Sequence, residues 1–162
     1  MIRMTIKRVV AALLLLSLLL CLCACGAKYR DDIPLNRITA VADARMGGDM
    51  EEMTSGFVSG TMHLDPNSFG GYTVKINKKG INIDEYGVFR APENGKASDV
   101  QDAIEGYLKL RRDTWMKEYM PEEKPKLDKA EVKVFGNYVL YVIAADDVRN
   151  NIYQDVEKLL KK

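Results

Sequence analysis

Apolar residues recur along this chain with three different periods. From Val9 to Leu22 they form an unbroken run with a single hydroxyl, Ser17, and a short basic segment of Arg3, Lys7 and Arg8 precedes it. Basic residues followed by an apolar run too short for a confident membrane span, which needs roughly 20 residues, predict a secretory signal. From Leu35 the spacing becomes helical. Leu35, Ile38, Val41 or Ala42 and Met46 fit a short amphipathic helix ended by Gly47-Gly48. The stretch DMEEMTSGFVSGTM predicts a weaker helix with Asp49 as its cap, and Asp65-Pro66 predicts one turn of helix.

At Tyr72 the period falls to two. Tyr72, Val74 and Ile76 alternate with polar residues, NKKG turns the chain, and INIDEYGVFRA returns it. The return run changes parity between Ile83 and Tyr86, which predicts a bulge near Asp84-Glu85. Ser98 and Gln101 have the spacing of a capping box for the longest helix. Its core face is Val100, Ala103, Ile104, Tyr107, Leu108, Trp115 and Tyr119, and Pro121 stops it. AEVKVFGNYVLYVIAA reads as a tight hairpin through Gly136-Asn137, pairing Phe135 with Tyr138, Val134 with Val139 and Val132 with Tyr141. Asp146 or Asp147 caps a last helix whose Val148, Ile152, Val156, Leu159 and Leu160 face inward. The order from Tyr72 is ββαββα, an α+β fold: a mainly antiparallel sheet of two hairpins with helices on one face.

Three cysteines, Cys21, Cys23 and Cys25, close the apolar run, and the rest of the chain has none. They lack the partner ligands of a zinc site and the spacing of a C-x-x-C redox pair. Leu22-Cys23-Ala24-Cys25-Gly26 instead resembles the bacterial lipobox: a branched apolar residue, two small residues, the cysteine that receives the lipid, then a small residue. Cys23 departs slightly, since alanine, serine or threonine is commoner there. The resemblance implies diacylglycerol on Cys25 and cleavage before it. An ordinary cleaved leader or an uncleaved anchor is the alternative. The expected organisation is a signal peptide over 1–24, a short membrane tether over 25–34, and a single domain over 35–162.

The expected leader holds three of the 24 Lys+Arg and none of the 23 Asp+Glu, so the remainder carries 21 minus 23, a net −2. No basic stripe is present to neutralise phosphates, which argues against a nucleic-acid partner. The tether can span at most ~35 Å, so the domain is expected close to the outer face of the cytoplasmic membrane.

INIDEYGVFRA, the long helix, EYMPEEKPKLDKAEVKVFGNYVLYVIA and the closing helix are similar to lipoproteins of Gram-positive, clostridial-type bacteria grouped as domain of unknown function 4358. The similarity covers roughly Leu64 to Leu160 plus the lipobox, with Tyr119, Pro121, Glu122 and the run Gly136-Asn137-Tyr138-Val139 as its most specific piece. It implies an exported, lipid-anchored α+β domain and supplies no activity, cofactor or catalytic residue.

Catalytic constellations are not legible. His63 is the single histidine, and no serine lies in a G-x-S-x-G context. The acidic pairs, Asp84-Glu85 among them, form no calcium loop. The expected site list is therefore Cys25 for lipidation, no metal and no cofactor. Phe135, Tyr138 and Leu140 are the candidate interaction surface, because their strand face is shared with Glu131 and Lys133. The leading expectation is a non-catalytic module that binds an envelope protein or polymer. A small envelope hydrolase with scattered carboxylates and a small-ligand receptor are the alternatives.

Overall fold

The computed structural model describes residues 29–116 and 118–162, so the expected signal peptide and Cys25 lie outside the described residues. The elements are α1 (Leu35–Met46), β1 (Met50–Glu52), α2 (Ser55–Gly60), a 3-10 turn (Pro66–Ser68), β2 (Tyr72–Asn77), β3 (Glu85–Arg90), α3 (Ala97–Asp113), α4 (Lys124–Asp128), β4 (Val132–Phe135), β5 (Tyr138–Ile143) and α5 (Asp146–Leu160). The five strands form one antiparallel sheet in the order β1-β2-β3-β5-β4. The α+β antiparallel architecture expected from the periodicity is thus the one the chain adopts.

Several local readings hold in detail. Residues 35–46 form α1, and Gly47 leaves it at φ +86°, a conformation glycine adopts without steric cost. The β4–β5 hairpin has the expected register, with Phe135 opposite Tyr138, Val134 opposite Val139 and Val132 opposite Tyr141. Its tight turn takes a positive φ at Gly136, +63°. Asp65 caps the 3-10 turn by accepting from the Asn67 amide at 2.9 Å, with Pro66 at the first position.

Other readings are corrected. The weak second helix is split: Met50–Glu52 pairs with β2 as an edge strand, and only Ser55–Gly60 is helical. A segment with two glycines and several hydroxyls has little helix propensity to oppose the ladder bonds that β2 offers. The return strand starts at Glu85, so the parity change around Asp84 marks loop giving way to strand. Ser98 does not cap α3. The helix begins two residues earlier, at Ala97, Lys96 holds the cap position, and the Ser98 hydroxyl donates to Asp99. Ala145 precedes α5, leaving Asp146 and Asp147 in its first turn, where their charge favours the helix dipole.

The largest correction concerns the layers. Helices cover both faces of the sheet, not one. On one face α1 and α5 bury Ile38, Ala42, Ile152 and Val156 against Tyr86, Val88, Tyr138, Leu140 and Val142. On the other, α3 buries Val100, Ile104, Tyr107 and Leu108 against Phe89, Val139, Tyr141 and Ile143, with α2 and α4 filling the edges through Val58 and Leu127. The two β-hairpin-plus-helix halves therefore place their helices on opposite sides. Strand β5, covered on both faces, reads YVLYVI with no polar alternation, as such strands do.

Residues expected as tether also belong partly to the domain. Tyr29 pairs with Lys161 in an isolated bridge, and the Arg30 amide donates to the Leu160 carbonyl at 2.7 Å. The Tyr138 hydroxyl donates to the carbonyls of Ile33, at 2.5 Å, and Asp31, at 3.0 Å. Ile33 is buried in the core, so the chain is already docked from Tyr29 onward.

Candidate functional site

The candidate surface at Phe135, Tyr138 and Leu140 is not a surface. Phe135 is 6% exposed, and Tyr138 and Leu140 are fully buried. Their strand face does carry Lys133 and Glu131 nearby, but those charges lie on the edge strand and its lead-in and pair with each other at 3.1 Å. The apolar members sit beneath α1, α5 and the 29–33 segment, with the Tyr29 ring edge-on to Phe135 at 5.6 Å. A face shared by apolar and charged residues proved to be a core margin.

The exposed large apolar side chains lie elsewhere. Ile81 is 77% exposed, Met116 67% and Tyr119 53%. All three belong to two loops, 78–84 between β2 and β3 and 114–123 after α3. Helix α3 ends at Asp113, earlier than the apolar spacing implied, so Tyr119 leaves the core face while Trp115 remains partly buried against it. The loops are tied together by charge. Lys126 bonds Asp84 at 2.9 Å and Glu123 at 2.8 Å, while Glu123 also accepts from the Ile83 amide at 3.1 Å. These bonds outweigh burial and hold the Glu123 carboxyl below the ordinary carboxylate range. Between the loops lies a groove of about 240 Å³ lined by Phe57, Ile76, Ile83, Tyr119, Met120 and others, with Glu85 and Arg111 in its wall.

Glu85 is the polar centre of this end of the sheet. It is 2% exposed, and its Oε1 accepts from the hydroxyls of Tyr107 and Tyr141, both at 2.6 Å. Its Oε2 accepts from Arg111 Nη1, which also donates to the Tyr107 hydroxyl at 2.9 Å. A buried carboxylate persists only when paired and hydrogen-bonded, and three donors satisfy that condition here. Burial, reinforced by the Glu85 charge, pushes both phenols well above their ordinary pKa, so they remain donors. For Arg111, burial works against the charge but Glu85 outweighs it, keeping the guanidinium above its ordinary value.

The sequence places these groups by simple spacing. Glu85, Gly87 and Phe89 share one face of β3, and Ile104, Tyr107, Leu108 and Arg111 share one face of α3. Gly87 lies opposite Tyr141, and an added Cβ would collide with the Tyr141 ring and reach 2.7 Å from Phe89. Its missing side chain leaves room for the Tyr141 ring on the sheet, from which the hydroxyl reaches Glu85. Read along the sequence, Asp84 and Glu85 form an acidic pair, which hides this cluster. The available signal was an Arg seven residues beyond Ile104, on a face otherwise apolar.

His63 is exposed, in a loop at φ +57°, and makes no side-chain hydrogen bond among the described residues. Among those residues no group of three or more metal-ligating side chains comes together, and no helix is long and apolar enough to cross a membrane.

The groove lies at the end of the sheet opposite the N-terminal segment. Glu85 pairs with Ile143, whereas Arg90, five residues along β3, pairs with Tyr138, next to the turn that Tyr29 packs against. At 3.2 to 3.4 Å per residue, roughly 17 Å of sheet separates the two ends.

The model of a family described as Domain of unknown function (DUF4358) matches residues 43–144. That span begins in α1 and runs just past β5, including Glu85, Arg111 and both groove loops. No curated protein and no solved structure matches the chain. The chain belongs to the DUF4358 family, as the residues shared with it had implied.

Proposed function

We propose that this protein is a lipid-anchored binding module of the cell envelope that presents its groove away from the membrane. The lipobox-like run ending at Cys25 supports the anchor, and only Gly26, Ala27 and Lys28 separate that cysteine from docked Tyr29. Four peptide steps span at most ~14 Å. A domain so closely tethered keeps its N-terminal end at the lipid surface, and the groove then opens at the far end of the sheet.

The observation that carries the binding role is a groove walled by Phe57, Ile76, Ile83, Met120 and the half-exposed Tyr119, between two ion-paired loops that also carry the exposed Ile81 and Met116. Exposed aromatic and sulfur-containing side chains beside a fixed polar centre are typical of recognition surfaces. A hydrolase is the weaker reading. Asp84 and Glu85 both line the groove, but their oxygens are taken up by Lys126, Asn82, Arg111 and two tyrosines, leaving no free carboxylate pair for acid–base work.

Cell fractionation tests the anchor. Wild-type protein is expected in the membrane pellet, with an acylated peptide beginning at Cys25 detectable by mass spectrometry. Cys25→Ala is expected in the soluble fraction or as uncut precursor. A normally processed Cys25→Ala protein still in the pellet would overturn the reading.

A further inference from the structure

The polar groups around the groove are unequally satisfied. Glu85 receives three donors. Asp84 accepts from Lys126 and, at 3.0 Å, from Asn82 Nδ2. The Asn82 side-chain oxygen accepts from the Asp84 amide at 2.6 Å, and that of Asn77 from the Lys79 amide at 2.9 Å. Each of these acceptors is supplied with a donor. Arg111 is different: both of its bonds leave from Nη1, and Nε and Nη2 donate to no atom of the described residues. The side chain is 24% exposed, and Arg111 lines the groove.

We propose that the groove binds a ligand with an apolar body ending in one carboxylate, held by the Nε–Nη2 edge of Arg111. This rests on the binding-module reading and names its ligand class. The two parallel N–H groups of that edge match a carboxylate's two oxygens, a fit that a neutral amide cannot reproduce. Glu85 already orients the guanidinium from behind, so little side-chain entropy remains to be lost on binding. Phe57, Ile76, Ile83 and Met120 supply apolar walls for the body of the ligand. Besides the Glu85–Arg111 pair, the charged residue lining the groove is Asp84. A second carboxylate on the ligand would meet repulsion there, so monoacids are preferred to diacids.

Two sources carry this chemistry, the C-terminus of a hydrophobic peptide and a free short aliphatic acid, and the test separates them. The full lipidated chain, in nanodiscs, carries 5-fluorotryptophan at Trp115, its single tryptophan, whose ring lies 6.4 Å from that of Tyr119. The probes are N-acetyl-leucyl-phenylalanine, hexanoate, the amide of each, and hexanedioate. At least one monocarboxylate is expected to shift the fluorine resonance saturably, about tenfold more tightly than its amide and more tightly than the diacid. The tighter of the two monoacids identifies the source. Tyr119→Asp, at an exposed rim position, is expected to weaken that binding about fivefold by like-charge repulsion. Arg111→Lys keeps the charge beside Glu85 but loses the two-point edge, and is expected to remove the preference of acid over amide. Equal affinity for acid and amide, a diacid preferred to the monoacid, or a preference unchanged in Arg111→Lys, would overturn the assignment while leaving a binding module. Absence of any shift would also overturn it, and the anchor reading is judged separately by fractionation of Cys25→Ala.

Discussion

Glu85 and Arg111 form an ion pair in which the carboxylate side chain is 3% exposed and the guanidinium side chain 24%. The pair joins the first residue of β3 to the last turn of α3, so it fixes the helix against the end of the sheet where the groove opens. Its value lies less in attraction than in the cost of disrupting it. Removing Arg111 leaves the Glu85 charge in a place where water hardly reaches it.

Arg111→Met is therefore expected to destabilise the domain by about 3 kcal/mol, at the low end of the range for a broken buried pair because two tyrosine hydroxyls remain on the carboxylate. Adding Glu85→Leu to it should recover much of the loss, since the orphaned charge is gone. Urea unfolding of the two variants checks this, and a double variant no more stable than the single one would show that the charge is not what matters.

Alkaline pH probes the same cluster from the phenol side. Tyr107 and Tyr141 have folded pKa values raised by burial and by Glu85, so the stability they contribute is complete below the unfolded value of about 10. It is lost as pH rises from there through the folded values. Stability is expected to be flat in this respect up to about pH 9 and to fall beyond about pH 10. Ultraviolet difference spectra should show these buried phenolates only as the protein unfolds; smooth ionisation of all eight tyrosines in the folded state would contradict it.

Gly87→Ala places a methyl against the Tyr141 ring, which is fully buried and can give way only by disturbing its neighbours. Overpacking of this kind costs about 1–3 kcal/mol. Displacement of the ring should also lengthen the bond from its hydroxyl to Glu85. Combining Gly87→Ala with Tyr141→Phe should therefore cost less than the sum of the two, a coupling that a denaturation cycle measures directly.

Tyr138 links the core to the docked N-terminal segment. Tyr138→Phe removes the hydroxyl that donates to Asp31 and Ile33 and keeps the ring, so a loss of about 1–2 kcal/mol is expected. Amide exchange at Arg30, which donates to Leu160, should speed up more than exchange in β3. Tyr138→Asp, by contrast, buries a carboxylate in the core and should unfold the domain.

Periodicity made much of this fold legible because most elements are selected by burial, which writes a period into the sequence. The β4–β5 register and the bounds of α1 are direct readings of that kind. Burial on both faces defeats it: β5 has no polar side to say where the solvent is, so Glu131 and Lys133 beside it make Phe135, Tyr138 and Leu140 read as a surface. Strand β1 is not legible because three residues carry no period, and the ladder offered by β2 decides their conformation. The groove was illegible for a different reason. It joins residues more than twenty apart, Glu85 to Arg111 and Ile83 to Glu123, and only the packed sheet end brings them together.

The central claim is an anchored domain whose groove faces away from the membrane, and Met116→Cys tests it most directly. Cys25 is acylated in the proposed mature protein and the other two cysteines leave with the leader, so the introduced thiol is the single reactive one. A bulky, membrane-impermeant maleimide applied to intact wall-free cells should label it fully and quickly, on protein that then pellets with the membranes. Arg30→Cys, one residue from Tyr29, should label slowly in the same cells and quickly once detergent removes the bilayer. Equal labelling of the two sites before detergent would contradict the orientation, and labelling of Met116→Cys only after lysis would contradict export itself.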